Sequence, residues 1–222
     1  MLDIFDILGP IMVGPSSSHT AGAVRIGNIA RTLLGNEPVE AKLLLHGSFA
    51  ETGRGHGTDR ALVAGLLGMQ PDDLDIPNSF ALARERGLHF TFGEVQLREA
   101  HPNTVVLDLT GRGGEHLKVQ ACSIGGGRIQ VDQLDDVPVG FTGEYNTLII
   151  YNQDDCGYVS EVSKALSQAQ VNIANMRLRR QGKGGLAIMV IEVDQKIPQS
   201  VITSLRQFEG IRKATYYERE EA

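Results

Sequence analysis

Two stretches of the chain concentrate residues able to do chemistry. The first is Gly14-Pro15-Ser16-Ser17-Ser18-His19-Thr20, set directly before a segment with helical periodicity. Serine or threonine ahead of a helix caps free N–H groups, but capping uses one hydroxyl or two. Three serines, a threonine and an imidazole in succession exceed that need, and a helix N-terminus also attracts carboxylate or phosphate. The run reads as a small-anion or carboxylate site, with plain capping as the alternative. Ser18 and His19 do not make a catalytic dyad, since side chains adjacent in sequence rarely face each other.

The second stretch runs from His46 to Asp59 and reads as a loop that leaves a strand and enters a helix, a place where α/β proteins bind ligands. Its Gly53, Gly55 and Gly57 give G-x-G-x-G, not the G-x-G-x-x-G of a dinucleotide site, so a nucleotide role is weak. His46 and His56, with His19, could ligate a metal. No pair of them has the i, i+4 spacing of a helical metal motif, which leaves a zinc-type site as a minor alternative. His46 and His56 flank glycines and hydroxyls and stand out; His89, His101 and His116 read as structural.

The elements that must position these loops follow from periodicity. Ile26, Ile29, Ala30, Leu33 and Leu34 trace one face of a helix that stops at Gly35-Asn36. Val39, Ala41, Leu43 and Leu45 alternate as a strand running into His46. A helix from about Thr58 carries Leu62, Val63, Leu66 and Leu67, and Ser79–Arg86 is a short helix capped by Asn78 or Ser79. From Phe90 onward the pattern is a β-meander: Asn103–Thr110, Glu115–Ser123 and Arg128–Leu134. The stretch 135–143, with Pro138, Gly140 and Gly143, reads as a linker. Beyond it the order β-α-β-β-α-β, including a strand at Val171–Leu178 and a helix bearing Val159, Val162, Leu166 and Ala169, is ferredoxin-like. The fold class is α+β, divided as 1–140, a linker over 141–147, and 148–222.

Composition narrows the classes. Over 222 residues, 21 Lys+Arg against 27 Asp+Glu give 21 − 27 = −6, which argues against nucleic acid or an anionic membrane as partner. No apolar run nears the ~20 residues that span a bilayer, and MLDIFDILGP lacks the basic start of a signal peptide. Cys122 and Cys156 cannot build a disulfide framework and suit a reducing compartment, so a cytoplasmic protein is expected. The 26 glycines exceed the usual ~7% of residues, pointing to tight turns or close backbone approach.

The run Gly14–Thr20, followed by His46-Gly47-Ser48 and Thr52-Gly53-x-Gly55-His56-x-Thr58-Asp59, resembles the iron–sulfur L-serine dehydratases, in particular the beta chain of the two-chain bacterial form. The likeness covers essentially the whole chain. Its first part resembles the allosteric-substrate-binding domain of some phosphoglycerate dehydrogenases. Its second part resembles an ACT domain, with Asp154-Asp155-Cys156-Gly157 and Val171-Asn172-Ile173 at the matching places.

The resemblance implies a lyase that turns L-serine into pyruvate and ammonia. It implies a [4Fe–4S] Lewis acid held by cysteines of an alpha chain, no pyridoxal phosphate, and no metal ligands on this chain. It implies Ser16, Ser17, Ser18 and Thr20 on the substrate carboxylate, His19 and His56 as orienting or proton-relaying groups with His46 in the same site, and Thr52, Gly53 and Gly55 in a closely approaching loop. In the ACT part it implies an amino-acid effector held by Asp154, Gly157, Asn172 and Ile173, and self-association of that domain. Asp154 and Cys156 stand where related domains have Asn and Pro, so dimerisation without an effector is the competing reading. A stand-alone amino-acid-sensing module is the rival from another class, and a metal hydrolase using His19, His46 and His56 is the third.

Overall fold

The computed structural model describes residues 12–14 and 16–219; MLDIFDILGP, read above as no signal peptide, lies outside them. Two compact units divide the chain, Met1–Asp136 and Val137–Ala222. No helix among the described residues is long and apolar enough to cross a membrane.

In the first unit a π-helical turn, Ser17–Ala21, runs straight into α1, Gly22–Leu34. All five residues of the expected apolar face of α1 are buried, and the helix ends where Gly35 turns left-handed at φ 85°. β1 (Pro38–Leu45) buries Ala41, Leu43 and Leu45 on one face. Three helices follow, α2 (Ser48–His56), α3 (Thr58–Leu66) and α4 (Ser79–Glu85), then β2 (His89–Glu94), β3 (Thr104–Gly111), β4 (His116–Gly125) and β5 (Arg128–Leu134). The sheet of this unit is ordered β2-β1-β3-β4-β5. β3, β4 and β5 form the expected meander, and β1 pairs antiparallel with β3.

Three local expectations are corrected. β2 is not part of the meander: it pairs parallel to β1 at the sheet edge, because α2 to α4 form the crossover that a parallel neighbour requires. The loop expected over 46–59 contains α2. At Asn78 no side-chain cap bond forms; its amide instead donates to Asp75, and the Ser79 hydroxyl to the Arg60 carbonyl.

The second unit opens with β6 (Val137–Phe141), inside the stretch read as a linker. Val137, Val139 and Phe141 alternate inward while Pro138 faces out, which hides a strand behind a strand-breaking residue. Then come β7 (Asn146–Gln153), α5 (Tyr158–Gln168), β8 (Ile173–Arg180), β9 (Leu186–Val193), α6 (Gln199–Arg206) and β10 (Ile211–Tyr217). The order β10-β7-β9-β8, antiparallel throughout, is the ferredoxin-like sheet. Both helices pack on one core through Val162, Leu166, Ile202 and Leu205, whereas Val159 is 43% exposed rather than inward. β8 starts two residues later than expected, after a turn in which Gln170 has φ 56°.

Candidate functional site

The first unit brings the two polar stretches together around the ring of His19. Ser16 is the N-cap of the π-turn, its Oγ accepting from the His19 amide at 3.2 Å. The wide turn closes with the Gly22 amide donating to the Ser17 carbonyl, five residues back, a geometry that often marks functional sites. Capping and site-building are therefore one arrangement here. Ser17 and Ser18 are half-buried on this turn. Thr20 is buried, and its hydroxyl donates to the His56 carbonyl at 3.3 Å.

Across from the turn, α2 presents Ser48, Thr52 and His56 at i, i+4 and i+8, one stripe of a helix. Ser48 Oγ and Thr52 Oγ1 lie 3.2 and 3.1 Å from His19 Nε2, and the His56 ring is 5.0 Å from the His19 ring. Each glycine in a helix costs roughly 1 kcal/mol against alanine, and α2 carries Gly53 and Gly55. Phe49 offsets this: it is fully buried and stands edge-on to His19 at 5.3 Å, a burial worth roughly 1.5–3 kcal/mol. Left-handed Gly57 ends the helix, donating to the Gly53 carbonyl.

Gly53 faces Thr58 and Leu45 at ordinary contact distances, and Gly55 has open space beside it. The close approach expected in this stretch is made by Gly47, at φ 54°, where a Cβ would sit 2.7 Å from the Pro102 carbonyl oxygen. His46 points elsewhere: its Nδ1 meets the Val95 carbonyl at 3.2 Å and the Leu97 amide at 3.3 Å. His101 accepts from the Asn103 amide and His116 pairs with Asp108. Sequence reasoning missed Ser48 as a partner of His19, and the i, i+4, i+8 spacing with Thr52 and His56 was the signal available. It also missed Arg60, which with Val13, Gly14, Thr20, His56 and Phe80 lines a cavity of about 520 Å³ beside the cluster.

Burial of the His19 ring, and after it the charge of His56, holds the His19 pKa below its ordinary 6.5, with the Ser48 backbone pulling the other way. The unfolded chain thus binds more protons at this position than the folded one, so stability rises with pH through this range. Acidification below about pH 6.5 is expected to destabilise the chain progressively until the lower folded-state pKa is passed. His56→Gln removes the opposing charge and should shallow that slope. Urea midpoints collected between about pH 5 and 8 check it, equal slopes for both proteins counting against the pairing.

Residues 1–86 match the family described as serine dehydratase beta chain, and residues 146–210 match the ACT domain family. The chain is 38% identical to "L-serine dehydratase, beta chain" of Peptoniphilus asaccharolyticus, over 96% of its own length and 97% of that protein. This chain belongs to the L-serine dehydratase beta-chain family. "Probable L-serine dehydratase, beta chain" of Bacillus subtilis (strain 168) is likewise 38% identical, with 96% of each chain covered. A D-3-phosphoglycerate dehydrogenase of Synechocystis sp. is 25% identical over 86% of this chain and 35% of its own length.

The donors of this beta-chain family member do not fit a [4Fe–4S] cluster. Cys122 is buried in the first unit and its thiol is pushed up to about 12, by burial first and the Asp132 carboxylate second. Cys156 is exposed and belongs to the second unit. Among the described residues no group of three or more His, Cys, Asp or Glu is placed to hold a metal ion.

In the ACT domain the four effector candidates fall into two pairs. Asp154 follows β7 and is tied to the β8–β9 turn by the Gly184 amide and to the end of β8 by the Arg180 guanidinium, both at 2.9 Å. Asn172 precedes β8 and donates to Asp194 at 2.6 Å. Asn146 and Ile173 both register with Val193, while Gln153 registers with Leu186 at the other end of β9. Asp154 with Gly157, and Asn172 with Ile173, therefore stand at opposite ends of one sheet, roughly 23 Å apart at ~3.3 Å per residue.

Proposed function

We propose that this chain is the beta subunit of a two-chain L-serine dehydratase, a cytoplasmic lyase that converts L-serine to pyruvate and ammonia. Its alpha chain carries a [4Fe–4S] cluster, and no pyridoxal phosphate takes part. The observation that carries this reading is the convergence of Ser16, His19, Ser48, Thr52 and His56 beside one cavity, in a chain similar along nearly its whole length to named beta chains.

The roles follow from the chemistry of the groups. Ser17 and Ser18 stand in the first turn of the helix, where a carboxylate is favoured by backbone N–H donors and by the helix dipole. Ser16 and Thr20 hold that turn in place through the His19 amide and the His56 carbonyl. A neutral imidazole at His19 can accept a proton near the substrate, and the exposed His56 can pass one to solvent. His46 braces the backbone after β2 and is given no role in proton transfer. In the ACT domain the two separated pairs become one effector site only if a second copy supplies the missing half, which is consistent with self-association there.

The rival reading, a regulatory subunit with no part in catalysis, draws on the likeness to a phosphoglycerate dehydrogenase. Anaerobic reconstitution with the cysteine-bearing alpha chain, followed by a pyruvate assay, separates the two. Turnover that requires this chain at saturating L-serine is the expected result. Pyruvate formed by the alpha chain alone at the same rate would sink the proposal, as would deamination by this chain alone, free of iron.

A further inference from the structure

The hydrogens of the His19 cluster can be assigned by counting donors. The Thr52 hydroxyl has a single hydrogen, and it is donated to the Ser48 carbonyl at 2.8 Å. Thr52 Oγ1 can then meet His19 Nε2, 3.1 Å away, only as an acceptor. Ser48 Oγ, 3.2 Å from the same nitrogen, can serve as a second acceptor, its own hydrogen turning to Thr52 Oγ1 at 3.5 Å. At the opposite edge of the ring, Ser16 Oγ already accepts from the His19 amide and lies 3.4 Å from Nδ1. With the ring neutral and its hydrogen on Nε2, Nδ1 is bare, and the Ser16 hydroxyl hydrogen is the one that can point at it.

We propose that Thr52 is a positioning residue that holds the neutral His19 ring as its Nε2–H tautomer, so that the basic lone pair is on Nδ1, facing Ser16. The proposal rests on reading this cluster as part of the serine site and adds the identity of the basic atom. One consequence concerns Ser16. When Nδ1 takes up a proton, the new N–H donates to Ser16 Oγ, and the Ser16 hydrogen must turn away from the ring. It then becomes a free donor at the head of the helix, where a carboxylate would lie. Protonation of His19 and anion binding at the turn are thereby coupled through one hydroxyl rotor. The lowered pKa of His19 agrees with a ring that is neutral at rest.

The test is made on the full-length chain alone, labelled with ¹⁵N, so that its outcome is independent of whether the assembled protein deaminates serine. Long-range ¹H–¹⁵N correlation spectra distinguish a protonated, pyrrole-like ring nitrogen from a bare, pyridine-like one. The expected wild-type result above the His19 pKa is a pyrrole-like Nε2 and a pyridine-like Nδ1. Thr52→Val should move both signals toward the averaged positions of a tautomer mixture, and Thr52→Ser, which keeps the acceptor, should restore the wild-type pattern. A pyrrole-like Nδ1 in the wild type overturns the proposal without any variant. So does a Thr52→Val spectrum that matches wild type, and a merely structural role for Thr52 would give no such selective rescue.

Discussion

His19→Ala is expected to lower kcat of the assembled dehydratase by about 10²–10⁴-fold, the usual contribution of a positioned acid or base. The ring stands where the two polar stretches meet, in contact with Ser16, Ser48, Thr52, Phe49 and His56. Removing it takes away the one nitrogen base that both the turn and α2 address. The effect should fall mainly on kcat, because the amides proposed for the carboxylate belong to the backbone and survive the substitution. Two measurements check it: pyruvate formation at saturating L-serine, and the visible absorbance of the cluster proposed for the alpha chain, which should be unchanged. Turnover within threefold of wild type would remove His19 from the chemistry, and lost absorbance would mean the variant acts on assembly instead.

The largest stability effect is expected where α1 crosses α3. A Cβ on Gly65 would meet the Val24 carbonyl oxygen at 2.1 Å and the Gly27 Cα at 2.8 Å; one on Gly27 would meet the Leu62 carbonyl oxygen at 2.5 Å. Every one of these neighbours is backbone, so no side chain can turn aside and the helices must separate. Overpacking of this kind costs about 1–3 kcal/mol, sometimes more, while alanine returns roughly 1 kcal/mol of helix propensity. With rigid backbone on every side the cost lies at the top of that range, so the net loss for Gly65→Ala should be about 2 kcal/mol, or some 30-fold in the folding equilibrium. Gly55→Ala, in α2 with nothing near it, should be neutral or slightly stabilising. Urea unfolding of the two variants is the measurement, and an unchanged midpoint for Gly65→Ala would mean the crossing is looser than described. α1 continues from the turn bearing His19 and α3 follows directly from His56, so the same variant should lower turnover as well.

Much of the architecture was legible because it is written in local periods. The apolar stripe of α1, the alternation of β1 and the βαββαβ order of the second unit are repeats of 3.6 or 2 that need no partner to be recognised. β2 was harder: period-2 alternation says that a strand exists, not which neighbour it takes or in which direction. β6 was concealed because Pro138 and Gly140 share the strand with the inward residues. α2 was the consequential omission. Its glycines and hydroxyls match loop composition, and what makes it a helix is Phe49, buried from a distance in sequence, together with the backbone turns at Gly47 and Gly57.

The residue types of the site were present in the sequence: a serine-rich turn with His19, and a second stretch with Ser48, Thr52 and His56. That they belong to one ring of contacts was decided by the crossing of α1 and α3, which closes only because two glycines allow backbone to touch backbone. The setting aside of His46, whose Nδ1 lies against the backbone at Val95 and Leu97 and bonds one or the other according to its tautomer, was decided in the same way. Composition sets which groups are available for proton transfer. Only the packed chain sets which lone pair is left over, since that depends on where every neighbouring hydrogen has already been spent.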